Sequence, residues 1–179
     1  MRVREYGPAL LALFLAALTL LIASFAFRSL AQLRQQQALE RQLHTLLPGS
    51  TSFTEKEGDG GLVSHLYEST EGTVAQVSCP GYVYDVELLV AVGQEGRVVG
   101  LVVRRAHETP GLGSGILHDH AFLAQLLMTD GQAEIGEDIV PISGATVSCR
   151  AVVRCVNAAV SAVTGVDVPS QATPWGEGA

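Results

Sequence analysis

The sequence predicts an α+β domain behind a single N-terminal transmembrane helix, and three observations predict it. Residues 7–27 form an apolar run without a charge. Four short β-rich runs then follow one another between Leu62 and Val103 with no helical pattern between them. Helical patterns flank this region, one ending before Pro48 and one starting after Gly144. Strands in the middle and helices at the edges mark an α+β arrangement rather than a parallel sheet with regular crossovers. At 179 residues, the chain has room for one compact domain and an appendage.

The first element is GPALLALFLAALTLLIASFAF, from Gly7. At 1.5 Å per residue, roughly 20 apolar residues cross a bilayer core of about 30 Å. A cleavable signal peptide competes with this reading, with Arg2 and Arg4 as its basic leader. Signal cores run to about 7–15 residues, which favours a retained anchor here. The orientation stays open, because Arg2 and Arg4 precede the run while Arg28, Arg34 and Arg41 follow it.

Next, RSLAQLRQQQALERQLHTLLPG continues in good helix formers, with Leu30, Leu33, Leu39, Leu43, Leu46 and Leu47 near helical spacing. Pro48-Gly49 stops it. It reads as a stalk, as the first helix of the domain, or as both. SFTEKEGDGG, from Ser52, reads as a charged loop. The strands are LVSHLY from Leu62, TVAQVSC from Thr73, VELLVAV from Val86 and VVGLVV from Val98, with GQEG from Gly93 as a hairpin connection. Their loose alternation implies cover on both faces. HDHAFLAQLLM, from His118, predicts a helix with Phe122, Leu126 and Leu127 inward. A last helix is expected over 146–163, its apolar stripe being Val152, Cys155, Val156, Ala159, Val160 and Val163, opposite Arg150, Arg154, Asn157 and Ser161. DVPSQATPWGEGA closes the chain as a tail. The expected divisions are therefore 1–28 anchor, 29–49 stalk, 50–166 domain and 167–179 tail.

Charge narrows the function. The chain carries 11 Lys and Arg against 18 Asp and Glu. Between Gln42 and Glu137 the bases are Lys56, Arg97, Arg104 and Arg105 alone. Phosphate neutralisation needs clustered bases, so nucleic acid is excluded as a partner. Cys79, Cys149 and Cys155 show no zinc or iron–sulfur spacing. Cys149 and Cys155 lie six apart on one expected helix, too far along its axis to bridge. They read as buried apolar thiols.

Two segments could carry chemistry. In VPISGATVSCRAVVRCVN, from Val140, the small residues Ser143, Gly144 and Ala145 present Thr146 at a helix mouth. The unpaired amides of a helix start favour an anion, and Ser148 could add a hydrogen bond. The simpler reading makes Ser143 or Thr146 a helix cap worth about 1 kcal/mol. In HETPGLGSGI, from His107, Pro110 and three glycines form a sharp loop with neither Walker nor dinucleotide-binding spacing. His118-Asp119-His120 reads as a solvated helix start, and no metal is expected.

Taken together, ETPGLG, SGAT, GYVYDVELLVAV, GRVVGLVV and the LLPG ending of the stalk resemble the G subunit of the Rnf ion-translocating electron-transport complex. The same features are similar to the related C subunit of the sodium-pumping NADH:quinone oxidoreductase. That resemblance implies an FMN-binding domain with FMN attached through its phosphate to the Thr146 hydroxyl, installed from FAD by a separate flavin transferase. Ser143, Gly144, Ala145 and Ser148 would surround the attachment point. Glu108, Thr109, Gly111, Leu112 and Gly113 would form a facing loop, with Leu112 against the flavin ring. The implied role is an electron-carrier subunit of an oxidoreductase complex, with no catalytic acid or base and no complete active site of its own. The implied place is a bacterial inner membrane, in contact with other Rnf-type subunits, with the domain on the periplasmic side; the subunit would be one step in an electron chain between ferredoxin and NAD. Three cysteines outside the cytoplasm would be either buried or partly paired, Cys79 with one other.

The acceptor motif of that family commonly has Asp three residues before the serine, where this chain has Val140; Asp138 stands nearby. Two other classes therefore compete: a structural membrane subunit whose flavin site has lapsed, and a membrane-tethered flavin sensor that works alone.

Overall fold

The structure is a computed structural model that describes residues 7–81, 85–106 and 119–166. The chain divides into two units, Met1–Gln42 and Leu43–Ala179. Helix α1 (Gly7–Leu46) fills the described part of the first and supplies the opening turn of the second. With its proline, Pro8, confined to the first turn, where a missing amide costs nothing, and no charge before Arg28, this stretch makes one continuous helix of 40 residues out of the expected anchor and stalk. Within the first unit Phe14, Leu18, Leu20 and Leu21 are exposed.

The second unit is built on a five-stranded antiparallel meander: β1 (Thr54–Glu57), β2 (Val63–Glu68), β3 (Gly72–Pro80), β4 (Asp85–Gly93) and β5 (Val98–Ala106), adjacent in that order. All four expected β runs are strands. The β4–β5 turn closes where GQEG placed it, with Gly93 N donating to Arg97 O at 2.9 Å. Four short connections between antiparallel neighbours suffice for such a meander, which needs no crossover helix. Helix α2 (His120–Ala124) and helix α3 (Thr146–Thr164) complete the unit.

Two expectations are corrected. SFTEKEGDGG is not a loop throughout: Thr54–Glu57 is the edge strand β1, registered Thr54↔Glu68 to Glu57↔His65. All four of its residues are exposed, so apolar alternation could not have marked it. Backbone pairing on one side holds it, and charges such as Lys56, 2.6 Å from Glu68, suit a sheet edge. The helix expected from His118 to Met128 ends at Ala124. Here the neighbouring strand wins: Met128 N donates to Val98 O at 2.7 Å, and Val98 N donates to Thr129 O at 3.0 Å. Met128 takes φ +67 to make that join.

Both sheet faces are covered, as the loose alternation implied. Cys79, Val86, Leu88, Val90 and Val92 share one core with Phe122, Leu126, Val152, Cys155, Val156 and Val160. This is where α3 packs. By length and composition α3 could cross a membrane, but half of that span is buried in the domain, and it serves as the core helix. On the opposite face Leu89 and Ala91 are also buried. Leu46 packs over Gly100, the cross-strand partner of Ala91, where a Cβ would sit 2.9 Å from Leu46 Cδ2. Close approach of the α1 terminus thus fixes a residue without a side chain at that point.

Asn157, expected on the polar side of α3, is half-buried. Its side chain donates to Ala133 O at 3.0 Å and accepts from Ala133 N at 3.3 Å, tying the 133–142 segment to the helix.

Candidate functional site at the α3 N-terminus

The small-residue run before α3 folds as a tight bend. Ala145 N donates to Ile142 O at 3.0 Å, and Gly144 takes φ +80, a conformation side chains disfavour. Among the described residues nothing lies within 4 Å of where a Gly144 Cβ would be, so they leave the space beside the bend open. Ser143, Gly144 and Thr146 are exposed, and Ala145 is buried.

Ala145 is the N-cap residue, and no side chain caps the helix. The capping role considered for Ser143 or Thr146 is therefore not realised. Cys149 N makes the first helical bond, to Ala145 O at 2.9 Å, so the amides of the opening turn face outward with a partial positive charge. Ser148 differs from Thr146 because two residues turn about 200° round a helix. It is buried, and its Oγ has no hydrogen-bond partner among the described residues. A buried hydroxyl without a partner is costly, and it sits within one helical turn of the exposed threonine.

Cys149 closes the inner side. Its Sγ accepts from Ile142 N at 3.4 Å. Burial raises its pKa above the usual thiol value; the Ile142 amide opposes the shift and the Asp119 charge adds to it. Asp119 itself caps α2, accepting from Phe122 N at 3.0 Å, so the expected solvated helix start has a structural task. Among the described residues no cluster of His, Cys, Asp or Glu could hold a metal.

Gln125 is the residue that sequence reasoning missed. Its Oε1 accepts from Val140 N at 2.8 Å and its Nε2 donates to Val140 O at 3.3 Å. Both backbone groups at the head of the segment that leads to Thr146 are thus clasped by one amide. A glutamine in a helical run carries no sequence signal for such a contact. The Val140 side chain stays 72% exposed, standing where an aspartate would project into solvent. Asp138 is engaged in its own turn, where Oδ2 accepts from Glu134 N at 3.3 Å.

Topology sets this bend at one end of the sheet. Thr164 at the far end of α3 abuts the β4–β5 turn, with its Cγ2 3.0 Å from a Cβ placed on Gly96. Cys155 Sγ donates to Val86 O at 3.7 Å, at the other end of β4. Thr146 lies nine residues further, about 13.5 Å along the axis, beyond that strand end. Val86 pairs with Ala106, so β5 delivers its last described residue to the same end. Glu108, Thr109, Gly111, Leu112 and Gly113 come next in the chain and lie outside the described residues, as does His118.

The site is thus an antiparallel sheet backed by one amphipathic helix, with a small-residue bend and an open threonine at the helix mouth. Residues 81–161 match the FMN-binding domain family. The chain is similar to proteins named as G subunits of ion-translocating oxidoreductase complexes. It is 29% identical over 180 residues to the G subunit of the ion-translocating oxidoreductase complex of Shewanella baltica, covering 84% of this chain and 85% of the relative. The G subunit of the same complex in Pseudomonas aeruginosa is 35% identical over 109 residues, 55% of this chain and 51% of its own length. The G subunit of the Na(+)-translocating ferredoxin:NAD(+) oxidoreductase complex of Acetobacterium woodii is 29% identical over 96 residues, 49% and 46% of the two chains.

Proposed function

We propose that this protein is a membrane-anchored electron-carrier subunit of an Rnf-type ion-translocating oxidoreductase complex, with FMN esterified to Thr146. FMN when bound supplies reversible one- and two-electron redox chemistry, and the protein contributes position and electrostatics. The observation that carries the reading is the exposed Thr146 hydroxyl at a helix mouth without a side-chain cap. A phosphodiester on that oxygen carries a negative charge, which the opening amides of α3 stabilise. The space that the described residues leave open at Gly144 supports access for a flavin and for the transferase that would attach it. Ser143, Gly144 and Ala145 form the bend beside the ester. Ser148 offers a buried hydroxyl in search of a partner. Glu108, Thr109, Gly111, Leu112 and Gly113 are assigned to the opposing loop, and Leu112 to the apolar contact with the ring.

Membrane attachment is assigned to residues 1–28, with 29–49 as the stalk, 50–166 as the flavin domain and 167–179 as the tail. Exposed Phe14, Leu18, Leu20 and Leu21 on α1 support it, because a bilayer covers apolar side chains that the chain itself leaves open. The domain is assigned to the periplasmic side of the inner membrane, beside the other subunits of the complex.

A second reading, a structural subunit with a lapsed flavin site, draws on Val140 and on Asp138 being engaged in its own turn. Intact-mass measurement after co-expression with a flavin transferase separates the two. A gain equal to FMN less water, absent in Thr146→Ala, is the expected result. Thr146 is exposed, so the variant should fold with stability within about 0.5 kcal/mol of the parent. An unmodified parent chain would leave the structural reading in possession, and flavin retained by Thr146→Ala would move the attachment elsewhere.

A further inference from the structure

Two of the three cysteines meet in the core. Cys79 lies near the end of β3, and Cys155 lies midway along α3; both are fully buried. Cys79 is the cross-strand partner of Val86. Cys155 Sγ sits 3.7 Å from Val86 O, which brings it over that same pair, and both cysteines belong to one buried core cluster. Cys149 is directed elsewhere, onto Ile142 N. It is separated from Cys155 by six residues, about 9 Å of helix axis, which is too far for a bond. The cysteine count alone left the partner of Cys79 open; the packing of α3 on β3 selects Cys155.

We infer that Cys79 and Cys155 form a disulfide bond that staples the flavin-bearing helix to the sheet, with Cys149 left as the free thiol. The inference rests on the periplasmic placement given above, since disulfides persist in oxidising compartments. The oxidant is a protein disulfide. One thiolate of the pair attacks it, forming a mixed disulfide and releasing the first oxidant thiol. The second thiolate then attacks the mixed bond and releases the other. Two electrons pass to the oxidant, which leaves as a dithiol, and the two cysteines surrender two protons.

Folding order matters for this step. Burial above all, and then the Cys79 sulfur, hold the Cys155 thiol protonated in the folded core. Exchange requires a thiolate and access. The bond therefore forms before α3 closes over β3, and the native packing afterwards shields it from reduction.

The test uses the full chain in its own membranes, acid-quenched, denatured and treated with a thiol-reactive mass tag. One tag is expected without reduction and three after it, and peptide mapping should join the Cys79 and Cys155 fragments. Three tags without reduction, or a linkage through Cys149, would overturn the inference. Alkaline phosphatase fused after Ala179, active only outside the cytoplasm, reports the compartment in the same cells. Three tags with an active reporter refute the pairing alone. Three tags with a silent reporter refute the placement of the domain and the bond with it. Thermal unfolding gives a second readout: reductant should lower the midpoint of the parent and leave that of the Cys79→Ala/Cys155→Ala variant unchanged.

Discussion

At the scale of single residues, Gln125 shows how much one side chain can decide. Its amide engages both polar backbone groups of Val140, at 2.8 and 3.3 Å, at the head of the segment that presents Thr146. Gln125→Ala should lower stability by about 1–3 kcal/mol, from two hydrogen bonds each worth about 0.5–1.5 kcal/mol, measured by urea unfolding. It should also slow flavin attachment, read as a reduced modified fraction at a fixed maturation time, while Thr146 itself is unchanged. Full-rate attachment would separate the clasp from the acceptor function.

Tyr67 permits a second prediction at this scale. Burial first, and then the charge and hydrogen bond of Glu55, push its pKa from 10.0 up to about 12. Its hydroxyl lies 3.4 Å from both Glu55 Oε1 and Gln76 Oε1. The unfolded chain releases this proton near pH 10 and the folded chain near 12. The neutral phenol therefore contributes stability in full below about pH 10, and the contribution is lost as pH rises through about 12. Equilibrium unfolding should show the parent losing stability relative to Tyr67→Phe across that window, and parallel curves would refute the shift.

At the scale of elements, α3 joins the site to the core. Its outward start carries Thr146, and its inward stripe packs on β3 and β4. Val156 is fully buried in that stripe, so Val156→Ala should destabilise by about 2 kcal/mol, through lost burial and the cavity left behind. Denaturant unfolding measures this, and a change below about 0.5 kcal/mol would mean that the helix repacks. Most of this element was legible in the sequence: Val152, Cys155, Val156, Ala159 and Val160 recur at helical spacing, and all are buried. β1 was not legible, because an exposed edge strand needs no apolar pattern. The end of α2 was not legible either, because pairing of Met128 and Thr129 with Val98 overrides the local helical preference of AFLAQLLM.

At the scale of the whole molecule, an acidic β-meander domain follows a helix whose first half bears apolar side chains open to its surroundings. If that half is the anchor, two arginines within it should abolish membrane retention. Each charged residue at a helix centre costs roughly 2.5–3.5 kcal/mol on insertion scales. Leu18→Arg/Leu20→Arg should move the chain from the membrane pellet to the soluble fraction after ultracentrifugation. Retention in the pellet would place the attachment outside α1.

The sequence by itself determined the four strands β2 to β5, the bend of small residues before Thr146 and the helix that follows, because turn chemistry and apolar periodicity are local properties of the chain. Only the tertiary structure decided that Gln125 holds Val140, that Leu46 covers Gly100, that Ser148 is buried without a partner and that Cys79 meets Cys155. Those contacts join segments distant along the chain. Their existence depends on how α3 and the end of α1 pack on the sheet, and no window of neighbouring residues encodes that packing.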